Sequence, residues 1–131
     1  MLFELELAAR GDASLAGNEG EAAFAEFELG EGTATGAIEG TVRYSQRLRR
    51  RQDGSVRFEL EALINTSDGA AIVLHATGEE GRDGHGAIVA RCEVADVRYR
   101  WLSEAVLVGE AAWERDHGHS HVVVYRLGSA Q

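Results

Sequence analysis

The chain has no lysine, no proline and a single cysteine, Cys92. Without a lysine amine there is no Schiff-base nucleophile and no anchor for pyridoxal phosphate. All 13 basic residues are arginine, a bias that genome composition explains more simply than function does. One cysteine can form no intramolecular disulfide and cannot by itself make a structural zinc site. It stands in the apolar alternation Ile88, Ala90, Cys92, Val94 and reads as a small core residue. Positive charge is scarce: 13 arginines face 22 acids, for a formal charge of −9. Phosphate binding needs basic side chains that release counterions, so nucleic acid and anionic membrane are excluded as expected partners. No apolar run approaches the ~20 residues that span a bilayer. The start, MLFELELAAR, has glutamates where a secretory signal needs an unbroken apolar stretch, and it predicts the first strand of a cytoplasmic protein. A Gly-rich phosphate loop, a nucleophile elbow and Cys/His zinc spacing are also missing. Glu79-Glu80 falls in a predicted loop, not across a cleft as two glycosidase carboxylates must.

What is there is strand and turn. At 131 residues, 44% hydrophobic and 27% charged, the chain has the length and composition of one globular domain over 1–131. A domain of this size buries roughly two-thirds of the surface its unfolded chain exposes. Phe3, Leu5 and Leu7 alternate with Glu4 and Glu6; Val56, Phe58, Leu60, Ala62 and Ile64 alternate with Arg57, Glu59 and Glu61. A period of two marks half-buried strands. Further strands are predicted at Ala22 to Leu29, Gly36 to Tyr44, Ala70 to Thr77, Gly86 to Val94, Ala105 to Arg115 and His119 to Leu127. Asp53-Gly54, Asp68-Gly69 and Asp83-Gly84 punctuate them as reverse turns. Ala8 to Gly20, rich in small residues, predicts a loop, and Asp96 to Ser103 one turn of helix or an irregular crossover. Eight strands suffice for a small barrel. The fold class is therefore all-β: a single antiparallel β-barrel of about eight strands with little helix.

Several residues carry a family resemblance: Gly36 and Gly40 in ATGAIEGTV, Asp53-Gly54-Ser55, then Thr66, Asp68, Gly69, Ala70, Ile72 and Gly78. Glu93, Asp96, Tyr99, Trp101 and Leu102 follow, then Val108-Gly109 and Tyr125, the strongest stretch being YRWLSEAVLVGE. In these the chain resembles the domain-of-unknown-function 3237 family of small bacterial and fungal β-barrel proteins, from about Gly36 onward. Two positions depart from it: Ser103 stands where an asparagine is usual, and Cys92 where an aromatic residue is common. The resemblance implies a homo-oligomeric barrel with an internal cavity, and it carries over no catalytic residue.

Three groups of residues bear on chemistry. His117, His119 and His121 form an HxHxH pattern, and alternate strand residues share a face. Asp116-His117-Gly118 reads as the hairpin turn, which leaves His119 and His121 in phase as a weak metal pair, with a solvated hairpin end as the plainer reading. His75 lies in an apolar strand, and Arg91 and Glu93 share one face of the next. In a lumen with Trp101, Trp113 or Tyr125 they would provide aromatic walls and convergent polar groups for a small apolar ligand. A histidine there would serve as a general base near neutral pH. The plainer readings are an outward histidine and aromatics that are solid core. Finally Arg47, Arg49, Arg50 and Arg51 decorate a predicted hairpin arm, where charge blocks edge pairing; a functional reading pairs them with Glu26, Glu28 and Glu31 of a second subunit. The resulting expectation is a small-molecule-binding barrel without a cofactor, an isomerase or cyclase if it is an enzyme. Its alternative is a non-enzymatic oligomeric module with a side-chain-filled barrel.

Overall fold

In a computed structural model, eight strands follow one another around a closed antiparallel barrel, each paired with its neighbours in sequence and the last with the first. The described residues are 1–15, 24–114 and 118–127, with side chains from 1–10 and from 27 onward. The strands are β1 (Phe3–Leu15), β2 (Phe24–Gly36), β3 (Gly40–Arg50), β4 (Val56–Thr66), β5 (Ala71–Glu80), β6 (His85–Val94), β7 (Leu107–Glu114) and β8 (His119–Arg126). Between β6 and β7 a 3-10 turn at Val97–Tyr99 runs into the four-residue helix α1 (Arg100–Ser103). β1 meets β8 over Phe3 to Ala8 and His119 to Val124, so no strand is an edge of the sheet. Association through strand edges, one way of assembling an oligomeric module, has no template here.

The alternation in sequence is the inside and outside of the barrel. β4 is the clearest case, with Val56, Phe58, Leu60, Ala62, Ile64 and Thr66 buried and every residue between them exposed. Phe3, Leu5 and Leu7 of β1, Ile72 and Leu74 of β5, Leu107 of β7 and Val122 and Val124 of β8 join them in one continuous core. Each such large side chain contributes roughly 1.5–3 kcal/mol by leaving water. Outward positions carry charge: Glu4, Glu6, Arg43, Arg57, Glu59 and Glu61. Apolar inside and charged outside is the reverse of a lipid-embedded barrel. Among the described residues no helix is long and apolar enough to cross a membrane.

Element boundaries moved where glycine misled. Glycine-rich Gly30 to Thr35 reads as a break, yet it is the middle of β2, and the turn lies at Gly36, whose φ of +116° suits glycine. Gly32 belongs in the strand because a Cβ there would sit 1.8 Å from the Glu6 carbonyl oxygen. The predicted strand from Gly36 therefore begins four residues late, at Gly40, and Ile38 leaves the sheet to become fully buried. The loop expected from Ala8 is strand as far as Leu15, paired with β2 across an irregularity at Ala9/Gly11. The three Asp-Gly turns are as expected, each glycine at positive φ.

One end of the barrel is plugged. The segment after β6 folds under it, burying Leu102 and Ala105 and packing Tyr99 and Trp101 against the core. Asp68, in the β4–β5 turn, anchors that segment. It accepts a hydrogen bond from the Tyr99 hydroxyl at 2.7 Å and another from the Thr66 hydroxyl, while Arg98 donates to its backbone carbonyl at 3.0 Å. Asp96 caps the 3-10 turn, accepting from the Arg98 amide at 2.9 Å and the guanidinium at 2.7 Å. These contacts account for Thr66, Asp68, Asp96 and Tyr99, four of the residues that carried the family resemblance: they tie the plug to the barrel.

Candidate functional site

The interior changes character along the barrel axis. Toward the plug the inward side chains are Phe3, Leu5, Ala34, Val42, Ile64, Ile72, Leu107 and Val124. Toward the opposite end, near the Asp53-Gly54 and Asp83-Gly84 turns, the same inward phase places polar groups: Glu28 on β2, Tyr44 and Gln46 on β3, Glu80 on β5, Trp113 on β7 and Ser120 on β8. Gln46, Glu80 and Ser120 are among the few buried polar residues of the described chain, at 1%, 3% and 4% exposure. A buried polar group costs free energy unless a partner replaces its lost water, so such a concentration at one end calls for an explanation.

Glu28 ties two members of this group together. Its carboxylate accepts a hydrogen bond from the Tyr44 hydroxyl at 3.1 Å and another from the Gln46 side-chain amide. Gly30, two residues on in the same inward phase, makes room for this: a Cβ there would lie 2.5 Å from the Tyr44 ring. Across the barrel Trp113 meets Phe58 edge to face, with ring centroids 4.5 Å apart, forming an aromatic floor between the apolar and polar halves. Trp113 and Ser120 are register partners on β7 and β8. Three buried side-chain atoms here, Gln46 Oε1, Trp113 Nε1 and Ser120 Oγ, have no hydrogen-bond partner among the described residues. They offer an acceptor, a donor and a hydroxyl capable of both roles.

The residues expected in the lumen are mostly elsewhere, which corrects that expectation. His75, Arg91 and Glu93 are exposed on the outer face, because Leu74, Ala76, Ala90 and Cys92 take the inward phase. They do come together: His75 and Arg91 are register partners, and the His75 ring lies 3.4 Å from Glu93 and 3.8 Å from Glu61. His75, Arg91 and Glu61, with Arg47, Glu59 and Val89, line an outer groove of about 460 Å³. Tyr125 also faces outward, 39% exposed. Trp101 belongs to the plug, where the Arg126 guanidinium lies 5.9 Å from its ring centre. Trp113 alone of the six faces the interior next to the polar group.

His119 and His121 are on the outside of β8 at the seam where the barrel closes. His121 lies between two carboxylates of β1, 3.0 Å from Glu4 and 3.4 Å from Glu6. Among the described residues no set of three or more His, Cys, Asp or Glu is arranged to hold a metal, and His117 lies outside the described residues. Cys92 is buried, and that burial pushes its thiol up to about 12, so it is protonated and unreactive at neutral pH. Of the acids set against the arginine run, Glu28 is turned inward, Glu31 pairs with Arg10 of its own chain at 3.0 Å, and the side chain of Glu26 lies outside those described.

Glu28, Tyr44, Gln46, Glu80 and Ser120 were missed in the sequence, although a signal existed. Tyr44 and Gln46 share the phase of Val42 and Leu48, Ser120 that of Val122 and Val124, and Glu80 that of Leu74 and Ala76. A polar residue in an apolar phase is the mark of a buried polar group.

No family model matches the chain, and no curated protein does. Solved structures do. A protein of unknown function from Clostridium acetobutylicum ATCC 824 superposes with a TM-score of 0.85 at 15% identity, over 97% of this chain and 96% of that one. A β-barrel-like protein from Acinetobacter baumannii AYE gives 0.84 at 19% identity, over 97% and 93%. An enzyme from Penicillium herquei gives 0.72 at 20% identity, over 95% and 91%. At these identities the likeness is one of fold.

Proposed function

We propose that this protein is a small-molecule-binding barrel whose site is the polar end of the interior, and that it belongs to the domain-of-unknown-function 3237 family. The observation that carries the reading is the set of buried polar atoms on Gln46, Trp113 and Ser120 that have no hydrogen-bond partner among the described residues, at the same end of the interior as a carboxylate held by two donors. A ligand that is mostly apolar, with one or two hydroxyl or carbonyl groups, suits this lining. Its rings or alkyl groups rest on Trp113 and Phe58, and its polar groups take the vacant hydrogen bonds. Glu28 has the chemistry of a general base whose orientation is set before the ligand arrives. Proton transfer of that kind drives isomerisation or cyclisation without a cofactor, and the presence of an enzyme on this fold in Penicillium herquei is consistent with it.

Fluorescence tests the reading, because the chain has two tryptophans. In a Trp101→Phe background the emission reports Trp113. Saturable quenching or enhancement by members of a library of hydroxylated aromatic and terpenoid compounds is expected, together with a rise in melting temperature. Binding at one hundred times Kd stabilises by about 2.7 kcal/mol. Glu28→Gln should abolish turnover of any compound found to react while leaving binding within a few-fold. If no compound in a broad library shifts either signal, the reading fails.

A second reading draws on two specific observations: Phe58 and Trp113 pack edge to face in the interior, and an apolar row crosses the outer face. Val89, Val108 and Tyr125 are register partners on β6, β7 and β8, with Val89 54% exposed. Such a row suits contact between copies of the chain in an oligomeric module without enzymatic activity. Sedimentation equilibrium separates the two: a Val89→Glu variant that becomes monomeric with ligand binding intact assigns the row to assembly alone.

A further inference from the structure

The outer face of β3 and β4 holds a conflict of charge. Arg49 and Arg57 are direct register partners, and both are exposed. Side chains directly opposite on antiparallel strands have Cβ atoms about 5 Å apart, and like charges there are destabilising. Arg47 is next along β3 on the same face. The chain has 22 acids to place and a net charge of −9, yet among the described residues no carboxylate lies within ion-pair distance of any of these three guanidinium groups. The nearest candidates are otherwise disposed. Glu79, the register partner of Arg57 on β5, pairs with Arg51 at 2.9 Å. Glu59 stands opposite Arg47 without closing on it. Elsewhere on this rim Arg51 pairs with Glu79, and the Asp53 carboxyl, held below the usual range chiefly by Ser55, is lowered further by the charges of Arg51 and Arg82. The three uncompensated arginines line a recess of about 140 Å³ with Phe58 and Glu59.

We propose that Arg47, Arg49 and Arg57 form an oxyanion site on the outside of the barrel, separate from the interior. The ligand is a phosphate or carboxylate group of a small molecule. A guanidinium presents N–H donors in a fork that matches two oxygens, and an anion between Arg49 and Arg57 turns their repulsion into two charge-assisted contacts. Arg47 adds a third donor from one side. The recess is sized for a small oxyanion with its first waters, and the overall negative charge of the protein argues against a nucleic-acid backbone as its source.

The test is titration calorimetry and thermal melting with inorganic phosphate and, separately, malonate, each against sodium chloride at equal ionic strength. Saturable binding and a saturable rise in melting temperature are expected with at least one of them, and which one distinguishes phosphate from carboxylate. In Arg57→Glu both responses should disappear, while the anion-free variant should melt above the wild type because an Arg–Glu pair replaces Arg–Arg. The double variant Arg49→Gln/Arg57→Gln keeps the test open should Arg57→Glu fold poorly, and it too should lose binding at least ten-fold. Responses no greater than those of chloride, or responses undiminished in the variants, would overturn the proposal. So would a phosphate effect that grows with protein concentration, since that would make the patch an interface between copies.

Discussion

The two ends of this barrel differ in what their inward positions hold. At the plugged end an apolar helix turn is driven into the lumen, with Leu102 fully buried, and its polar rim of Thr66, Asp68, Asp96 and Tyr99 is satisfied within the chain. At the other end the same inward positions hold Glu28, Tyr44, Gln46, Glu80 and Ser120, and Gln46 Oε1 and Ser120 Oγ have no hydrogen-bond partner among the described residues. A network that satisfies itself stabilises a fold, whereas one that leaves donors and acceptors over is arranged for something that arrives later. Under the proposed reading the contrast separates a structural end from a ligand-binding end, and it can be broken by mutation.

The largest expected effect is at the plug. Leu102→Ala removes a fully buried side chain and should cost about 2–5 kcal/mol, read as the denaturant midpoint at unchanged m-value. The same measurement on Gln46→Leu at the polar end should give a cost below about 1.5 kcal/mol or a net gain, because an apolar group replaces an amide only half satisfied among the described residues. A cost for Gln46→Leu equal to that for Leu102→Ala would erase the distinction between the ends.

Acid sharpens the comparison. At the plug, Asp96 is lowered to about 2 by its hydrogen bonds from Arg98, and Asp68 is lowered by the hydroxyls of Thr66 and Tyr99. A carboxyl whose pKa is depressed on folding contributes stability that is present above its unfolded value near 4 and lost as pH falls through the folded one. Stability should therefore decline between about pH 4 and pH 2. Asp68→Asn combined with Asp96→Asn should flatten that slope; an unchanged slope would remove the plug from the account of acid sensitivity. The smallest effect is expected at the seam, where the His121 pairing with Glu4 and Glu6 is half exposed. His121→Ala should cost no more than about 1 kcal/mol, less at high salt, by thermal melting.

Legibility followed the same division. The strands β4 and β6 could be read almost residue for residue because their alternation is unbroken, and the Asp-Gly turns announce themselves; β5 runs three residues past its predicted end at Thr77, so Glu79-Glu80 is strand and not the expected loop. The alternation that placed Cys92 in the core also placed Arg91 and Glu93 outside, so the lumen expectation for that pair conflicted with a pattern already visible. β2 was obscured, since Gly30 and Gly32 look like a break and are needed instead for close strand approach and for the Tyr44 ring. The candidate site was hidden for a different reason. Gln46 and Ser120 each show as a polar residue in an apolar phase, but only pairing around a closed barrel brings β2, β3 and β8 to a common interior.

By itself the sequence determined the class of fold, since a two-residue period with eight apolar phases and Asp-Gly turns has few packed solutions other than a barrel or sandwich. It also determined which face of each regular strand is buried, because a one-residue slip would expose the whole apolar set. Tertiary structure alone decided which inward residues meet, which end is plugged and which arginines oppose one another. Those are properties of register and closure between strands far apart in the chain, and no local pattern of residues encodes them.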